Sequence, residues 1–148
     1  VQMYKHSLGL DAHIARFYNV YGPMEIEEGE FASLFGVWKN AMKNNKPLPI
    51  VGDGEQTRDY TFVDDIVDGL IRIMDYKGDE NNVWELGTGF TYSINELAFL
   101  FAQKYKQGTI TLPDQPGNYR ESYRKDNKAL DLLGWKPQDK VPSYISSL

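Results

Sequence analysis

The sequence contains no cysteine and only two histidines, and both shortages narrow the kinds of site it can hold. Without cysteine there are no disulfides, thiolate zinc sites or cysteine nucleophiles. His6 and His13 both lie near the start, which argues against a histidine metal site or a Ser/His/Asp triad. The chain also lacks an apolar run of the ~20 residues that a bilayer span needs. We therefore expect a soluble, cytoplasmic protein without a metal site or a membrane partner.

Positive charge is also scarce. The 148 residues include 16 basic and 21 acidic side chains, for a net charge of -5, which disfavours binding to nucleic acid. A bound anion must then be held locally, by one or two well-placed cations. The length and the hydrophobic fraction of 41% are those of one globular domain or less.

Strands alternate with helices along the chain, which predicts a mixed α/β unit rather than two domains. The strand predictions share short apolar runs bounded by turn residues and cover Asp11 to Tyr18, Leu48 to Val51, Arg58 to Phe62, Val83 to Leu86 and Thr109 to Leu112. The helix predictions share helical periodicity or capping signals and cover Phe31 to Asn44, the segment after Asp64 or Asp65, the segment from Ser93 to Lys106, and Asn127 to Leu133. The last residues, Val141 to Leu148, are predicted to begin a further helix.

Two strings carry the functional signal: RFYNVYGP at residues 16–23 and PIVGDGEQTRDYTFVDD at residues 49–65. Together they resemble the C-terminal half of the extended short-chain dehydrogenase/reductase family, the NAD-dependent nucleotide-sugar epimerases and dehydratases. The resemblance implies the C-terminal part of a Rossmann-type sheet plus the small mixed α/β substrate-binding domain. It covers essentially the whole chain, with the motifs in the family's order.

The family's catalytic machinery is missing from these residues. No tyrosine is followed by lysine four positions later, and the runs at residues 52–54 and 87–89 lack the third glycine of a dinucleotide fingerprint. The first residue is Val1, and the opening resembles the stretch just downstream of the family's catalytic lysine. We therefore expect residues 1–148 to be a C-terminal portion without the NAD-binding half and without catalytic residues.

Arg58 is the strongest candidate for binding a ligand, because a guanidinium fork matches two phosphate oxygens. Its alternative role is a surface ion pair with Asp59 or Asp64, which would be worth little. By resemblance, Arg58 holds the nucleotide diphosphate, Asn19 contacts the nucleotide-sugar, and Tyr18 lies against the nicotinamide end of the cofactor. An isolated asparagine at Asn19 would otherwise be a turn residue.

The remaining candidates surround the nucleotide. Pro49, Val51 and Phe90 match positions that contact the base, although the first two are also ordinary strand residues. Glu85 stands where the family usually has asparagine. Glu85 either recognises donors on a base or sugar, or pairs with Arg58 or another cation, since a buried carboxylate needs a partner.

The segment from Gln115 to Pro137 resembles the family's last substrate loop and helix, with two departures. Gln115 replaces a common arginine and Asn118 a common aspartate, so the usual diphosphate and ribose contacts are in doubt. Arg120 or Arg124 is a candidate for the replacement cation, and a solvated charged loop is the alternative. Asp65, at a helix start, is predicted to be structural.

The resemblance implies an NAD-dependent enzyme acting on a nucleoside-diphosphate sugar through a 4-keto intermediate, and commonly a homodimer. We favour an epimerase, with a 4,6-dehydratase or a decarboxylase as the runner-up. The alternatives from other classes are an inert nucleotide-sugar-binding module and a structural remnant covered by another copy.

Overall fold

The computed structural model describes residues 1–78 and 83–148 and confirms the α/β class. Its helices are α1 (Gln2–Leu8), α2 (Leu34–Lys43), α3 (Val63–Asp75), α4 (Ile94–Tyr105), α5 (Lys128–Leu133) and α6 (Val141–Ser147). Its strands are β1 (Ile14–Phe17), β2 (Val20–Tyr21), β3 (Leu48–Val51), β4 (Thr57–Asp59), β5 (Thr61–Phe62), β6 (Val83–Leu86), β7 (Thr91–Ser93), β8 (Thr109–Leu112) and β9 (Glu121–Ser122).

Parallel pairing of strands distant in sequence dominates the fold. Strand β1 pairs with β6, β2 with β5 and β3 with β8, all in parallel. Strand β4 is the centre of a three-stranded sheet, antiparallel to β7 and parallel to β9. Because Arg58 lies on β4, this sheet brings it beside the loop that precedes β9.

Helix ends follow the capping signals in the sequence. Helix α4 begins with a complete capping box, in which the Ser93 hydroxyl accepts from the Glu96 amide and the Glu96 carboxylate accepts from the Ser93 amide. Helix α2 is capped by the Ser33 hydroxyl. Helix α5 ends at Gly134, which has a φ of 60° and so takes a left-handed conformation that suits glycine.

Two apolar clusters stabilise the described part of the chain. The larger joins α2, α4 and α6 around stacked and edge-on aromatic rings; Phe101 lies 5.5 Å from Phe35 and 5.2 Å from Trp38, measured between ring centroids. The smaller packs α3 and α5 against β6 around Trp84 and Trp135, which are both fully buried.

The sequence predicts that Asp64 or Asp65 is the N-cap residue of the helix that follows, and this prediction was wrong. Helix α3 begins at Val63 after Phe62, without a side-chain cap, so both aspartates lie in its first turn. Asp65 instead accepts a hydrogen bond from Lys140 Nζ at 2.7 Å and another from the Gln138 amide. Asp65 is therefore structural, as predicted, but it ties α3 to the segment before α6.

The apolar face of α3 also differs from the prediction. The predicted set was Ile66, Val67, Leu70, Ile71 and Met74. Ile66 and Leu70 pack in the smaller cluster together with Ile73, whereas the other three are exposed. The exposure of Met74 reaches 74%. The helix therefore carries two apolar stripes, and the described residues bury only one of them.

Strand lengths and irregular backbone account for the other differences. The first predicted strand, Asp11 to Tyr18, is limited to Ile14–Phe17, and the chain then bends at Asn19, which has a φ of 27°. The predicted strand from Arg58 to Phe62 is divided into β4 and β5 because the two halves pair with different partners. The loop before Arg124 contains the short strand β9.

Candidate functional site

A glycine turn after β3 forms one wall of the candidate site. Gly52 and Gly54 have φ values of 72° and 75°, a region that favours glycine. A Cβ atom on Gly54 would lie 2.1 Å from the Asn95 side-chain oxygen, so the packing also requires glycine there. The turn places Asp53 on the surface next to the loop that follows β8.

A polar cavity of about 280 Å³ lies between this turn and that loop. Its lining residues are Gly52, Asp53, Gln56, Asp114, Asn118 and Arg120. The lining includes two carboxamides and a guanidinium, donor types that hold phosphate oxygens. Two carboxylates, Asp53 and Asp114, lie among them and keep the cavity electrostatically mixed.

Arg58 is fixed by a residue of its own strand and by a residue of the loop before β9. Its Nη1 donates to its own neighbour's carbonyl, Thr57 O, at 2.8 Å, and its Nη2 donates to Asn118 Oδ1 at 3.0 Å. Asn118 Nδ2 donates in turn to Asp114 Oδ1 at 2.9 Å. The guanidinium is thus half-buried and oriented by an asparagine rather than by the surface ion pair that was the alternative.

Arg120 lines the cavity and forms an exposed ion pair with Asp53. Its Nη1 is 2.9 Å from both carboxylate oxygens of Asp53. The Glu55 amide first, and the Arg120 guanidinium second, lower the pKa of Asp53 below its ordinary value. Arg120 is therefore a cation at the cavity whose charge is partly neutralised by Asp53.

Pro49 and Val51 share the face of β3 that points away from the larger cluster. Leu48 and Ile50 are buried while their two neighbours are half-buried, as expected for alternation along a strand. Pro49 O accepts from the Trp38 indole at 2.8 Å, and Val51 O accepts from the Gln56 side-chain amide at 2.8 Å. Both backbones are thus fixed, which leaves their side chains on the half-open face.

A second group of candidates surrounds the carboxyl end of β1. The Asn19 side-chain amide donates to Asp59 O at 3.1 Å, a backbone group far along the sequence rather than a local turn. Glu85 Oε2 accepts from the Lys125 amide at 2.6 Å, and its carboxylate lies beside Tyr18. Burial first, and Glu85 second, raise the pKa of Tyr18 to about 12, so the phenol keeps its proton at neutral pH.

Glu85 therefore interacts with a backbone amide and a phenol. Of the alternatives drawn from the sequence, the pair with Arg58 is not formed, since Arg58 donates to Asn118 and Thr57. Phe90 follows the turn at residues 87–89 and is 56% exposed. The structure thus groups Tyr18, Asn19 and Glu85 at one place and Arg58 and Arg120 at another.

Asp59 lies between these two groups, next to Arg58 on β4 and hydrogen-bonded to Asn19. The sequence had indicated Asp59 only as a possible ion-pair partner of Arg58. Its carboxylate is completely buried and accepts from Thr88 N, Thr88 Oγ1 and Gly89 N at 2.7 to 2.9 Å. The alternation of side chains along β4 could have predicted the burial of Asp59, because its side chain points to the face opposite that of the half-exposed Arg58. Asn118, noted only as a lost charge, was also not predicted to orient Arg58.

The structure reveals no metal site and no membrane span in the residues it describes. Among residues 1–78 and 83–148, no group of three or more His, Cys, Asp or Glu side chains could hold a metal ion. In the same residues, no helix is long and apolar enough to cross a membrane.

Residues 1–87 match the NAD dependent epimerase/dehydratase family, which is more than half of the chain. The chain belongs to this family. A UDP-glucose 4-epimerase from Mycolicibacterium smegmatis is 36% identical in an alignment that covers 93% of this chain and 44% of that protein. UDP-glucuronic acid decarboxylase 4 from Arabidopsis thaliana is 35% identical over 91% of this chain and 30% of its own length.

Among solved structures, UDP-glucose 4-epimerase from Thermotoga maritima with UDP-glucose matches with a TM-score of 0.87 and 28% identity. That match covers 98% of this chain and 48% of the Thermotoga chain. The chain therefore spans less than half the length of the relatives named here. The expected family and its Rossmann-like fold are confirmed.

Proposed function

We propose that residues 1–148 are the C-terminal, nucleotide-sugar-binding portion of an NAD-dependent nucleoside-diphosphate-sugar epimerase that acts through a 4-keto intermediate. The observation that carries the proposal is Arg58, a half-buried guanidinium that donates to Asn118. Asn118 lines the polar cavity together with Arg120. Arg120 in the lining and Arg58 hydrogen-bonded to the lining residue Asn118 are two cations that suit a diphosphate in a chain whose net charge is -5. The similarity to a UDP-glucose 4-epimerase also supports the epimerase class.

The base and sugar are proposed to lie on either side of the diphosphate. Pro49 and Val51 provide a half-open apolar face for a flat base, and the exposed ring of Phe90 is a second apolar contact. Asn19 is proposed to contact the sugar end, since its amide lies next to Asp59 and so near Arg58. Binding at these remote contacts would position the sugar for reaction.

NAD, when bound, would supply hydride-transfer chemistry at the sugar. In this chain Tyr18 is the residue proposed to lie against the nicotinamide. The ring is half-buried at the end of β1 and retains its proton beside Glu85, so it offers a neutral surface to the cofactor. The residues present here include no Tyr-x-x-x-Lys pair, so we propose that these residues alone are catalytically inactive.

A 4,6-dehydratase or a decarboxylase is the second candidate. The 35% identity to a UDP-glucuronic acid decarboxylase favours the decarboxylase of these two.

A further candidate is a nucleotide-sugar-binding module without catalysis. Calorimetric titration with UDP-glucose, UDP-glucuronic acid and NAD separates these possibilities from a structural remnant. The proposal predicts binding of a nucleotide sugar and no measurable binding of NAD alone. Absence of binding to any nucleotide sugar or to UDP would contradict it.

The proposal also includes a cytoplasmic homodimer. The exposed apolar residues of α1 support an interface, with Met3 and Leu8 exposed at 70% and 71%. Sedimentation equilibrium tests it, with Leu8→Ser as the variant and Met24→Ser, on a different and 98% exposed loop position, as the control. A dimer that Leu8→Ser dissociates and Met24→Ser leaves intact is expected, and a monomer at all concentrations would contradict the dimer.

A further inference from the structure

The Asp59 carboxylate is an unusual feature of the site, because it is fully buried and its hydrogen-bond donors are neutral groups. Oδ1 accepts from Thr88 N at 2.9 Å and from Thr88 Oγ1 at 2.7 Å. Oδ2 accepts from Gly89 N at 2.9 Å and from Arg124 N at 3.3 Å. Burying a carboxyl group without hydrogen-bond partners is costly, and these donors offset that cost.

These hydrogen bonds join segments that are far apart in the sequence. Through its carboxylate, Asp59 connects β4 to the turn at residues 87–89 and to the loop before α5. Through its carbonyl, it accepts from Asn19 at the end of β1. Arg58 precedes it on the same strand and faces the opposite side, where Asn118 holds the guanidinium.

The hydrogen bonds of Thr88 connect Asp59 to Phe90, whose ring is exposed. Thr88 Oγ1 donates to Asp59 and accepts from the Phe90 amide at 3.1 Å. Arg124 Nε donates to Gly87 O at 2.9 Å, which closes the turn and the loop on each other. Asp59 is therefore in hydrogen-bonding contact with segments carrying Asn19, Phe90 and Arg124.

We propose that Asp59 is a positioning residue for nucleotide binding: its buried carboxylate sets the placement of Arg58, Asn19 and the turn at residues 87–89 relative to each other. The inference rests on the proposed function, because it assigns a role within that binding site. Because Asp59 is fully buried, it acts through its neighbours and not through direct contact with the nucleotide. Both oxygens are required as acceptors, since amide donors approach each of them.

The variant Asp59→Asn tests this role because it keeps the size and replaces one acceptor oxygen by an NH₂ group. That NH₂ must face an N–H donor, which leaves buried donors unsatisfied. We expect affinity for UDP and dTDP to fall at least about tenfold, the scale of one unsatisfied buried group. We also expect faster amide exchange at Thr88, Gly89 and Arg124 while helix α4 stays protected.

Two controls separate positioning from general loss of stability. Asp64→Asn makes the same chemical change at an exposed position five residues later and should leave affinity unchanged. Ile73→Val lowers stability in the smaller cluster, away from these hydrogen bonds, and should lower the melting temperature without lowering affinity. If Asp59→Asn does not fold, Thr88→Val, which removes one donor, should weaken UDP binding, and Thr88→Ser should restore it.

Unchanged UDP affinity in Asp59→Asn, or in Thr88→Val when the first variant is unfolded, would overturn the positioning role. The role would also be overturned if Ile73→Val lost as much UDP affinity as Asp59→Asn when the two variants had lost the same melting temperature. If the wild-type chain binds neither UDP nor dTDP, the proposed function fails instead. Amide exchange then decides the positioning role, which is overturned if Thr88, Gly89 and Arg124 stay protected in Asp59→Asn.

Discussion

Arg120 Nη1 lies 2.9 Å from each carboxylate oxygen of Asp53, and both residues line the polar cavity. Both side chains are more than half exposed, at 63% and 58%. The pair therefore contributes little to stability, and its importance lies in where it holds a cation. A diphosphate in the cavity would compete with Asp53 for Arg120.

Asp53→Asn should accordingly raise the affinity for UDP. The change removes a carboxylate that repels phosphate and releases Arg120 to bind it. We expect an increase of about threefold at low salt, the scale of one exposed ion pair, which shrinks as salt screens the charges. Calorimetry at two ionic strengths measures it. The control is Asp131→Asn, on α5, and equal effects of the two variants would show that only net charge matters.

Glu85→Gln should lower the pKa of Tyr18 from about 12 toward the ordinary tyrosine value without reaching it. Burial is the larger cause of the raised pKa and remains in the variant, whereas the negative charge of Glu85 is lost. Titration of ¹³Cζ-labelled tyrosines by NMR measures the change. A Tyr18 pKa that does not move would show that Glu85 has no electrostatic contact with the phenol.

Glu85 also illustrates where the sequence was ambiguous. Its departure from the family's asparagine was visible, but its partner was not, because Lys125 N approaches only after the loop before α5 folds back. Local signals predicted β3, β6, β8 and the capping box of α4, since these depend on nearby residues. The division between β4 and β5 depends on strands far away in sequence and could not be predicted.

The same distinction applies to the site. The motif strings predicted Arg58 and Asn19 as candidates, whereas their partners Asn118 and Asp59 O come from tertiary contacts. The burial of Asp59 follows from strand alternation once β4 is known. Its role as a shared acceptor does not, because Thr88 and Arg124 lie in other segments.

His13 should make the fold less stable as the pH falls below neutral. Burial lowers its pKa below 6.5, with Asp11 opposing and Lys5, Lys77 and Lys128 adding to the effect. Its neutral Nδ1 accepts from the Trp84 indole at 3.1 Å. Because the folded-state pKa is depressed, this stability is present above the unfolded value of about 6.5 and is lost as the pH falls through the folded value.

Melting temperatures measured from about pH 7.5 to 5 test this prediction across the histidine range. His13→Gln retains an acceptor for the indole without titrating, so its melting temperature should fall less over this range than that of the wild type. His6→Gln, at an exposed position, is the control and should follow the wild type. Parallel curves for His13→Gln and the wild type would contradict the assignment.

Phe101→Ala should destabilise the fold by about 3–5 kcal/mol, because the ring is fully buried among Phe35 and Trp38. Phe99→Ala is a matched control two residues earlier on the same helix, where the ring is 63% exposed. Its effect should stay within about 0.5 kcal/mol. Urea unfolding measures both free energies, and similar losses for the two variants would contradict the placement of α4.

The central claim is that Arg58 holds the diphosphate of a nucleotide sugar, and UDP affinity in Arg58→Ala tests it most directly. Loss of a charge-assisted contact should weaken binding by about 2 kcal/mol, or about thirtyfold. Arg72→Ala removes the same charge from a guanidinium that binds Asp68 and the end of α5, and it should bind UDP as the wild type does. Equal affinity of Arg58→Ala and the wild type would contradict the claim.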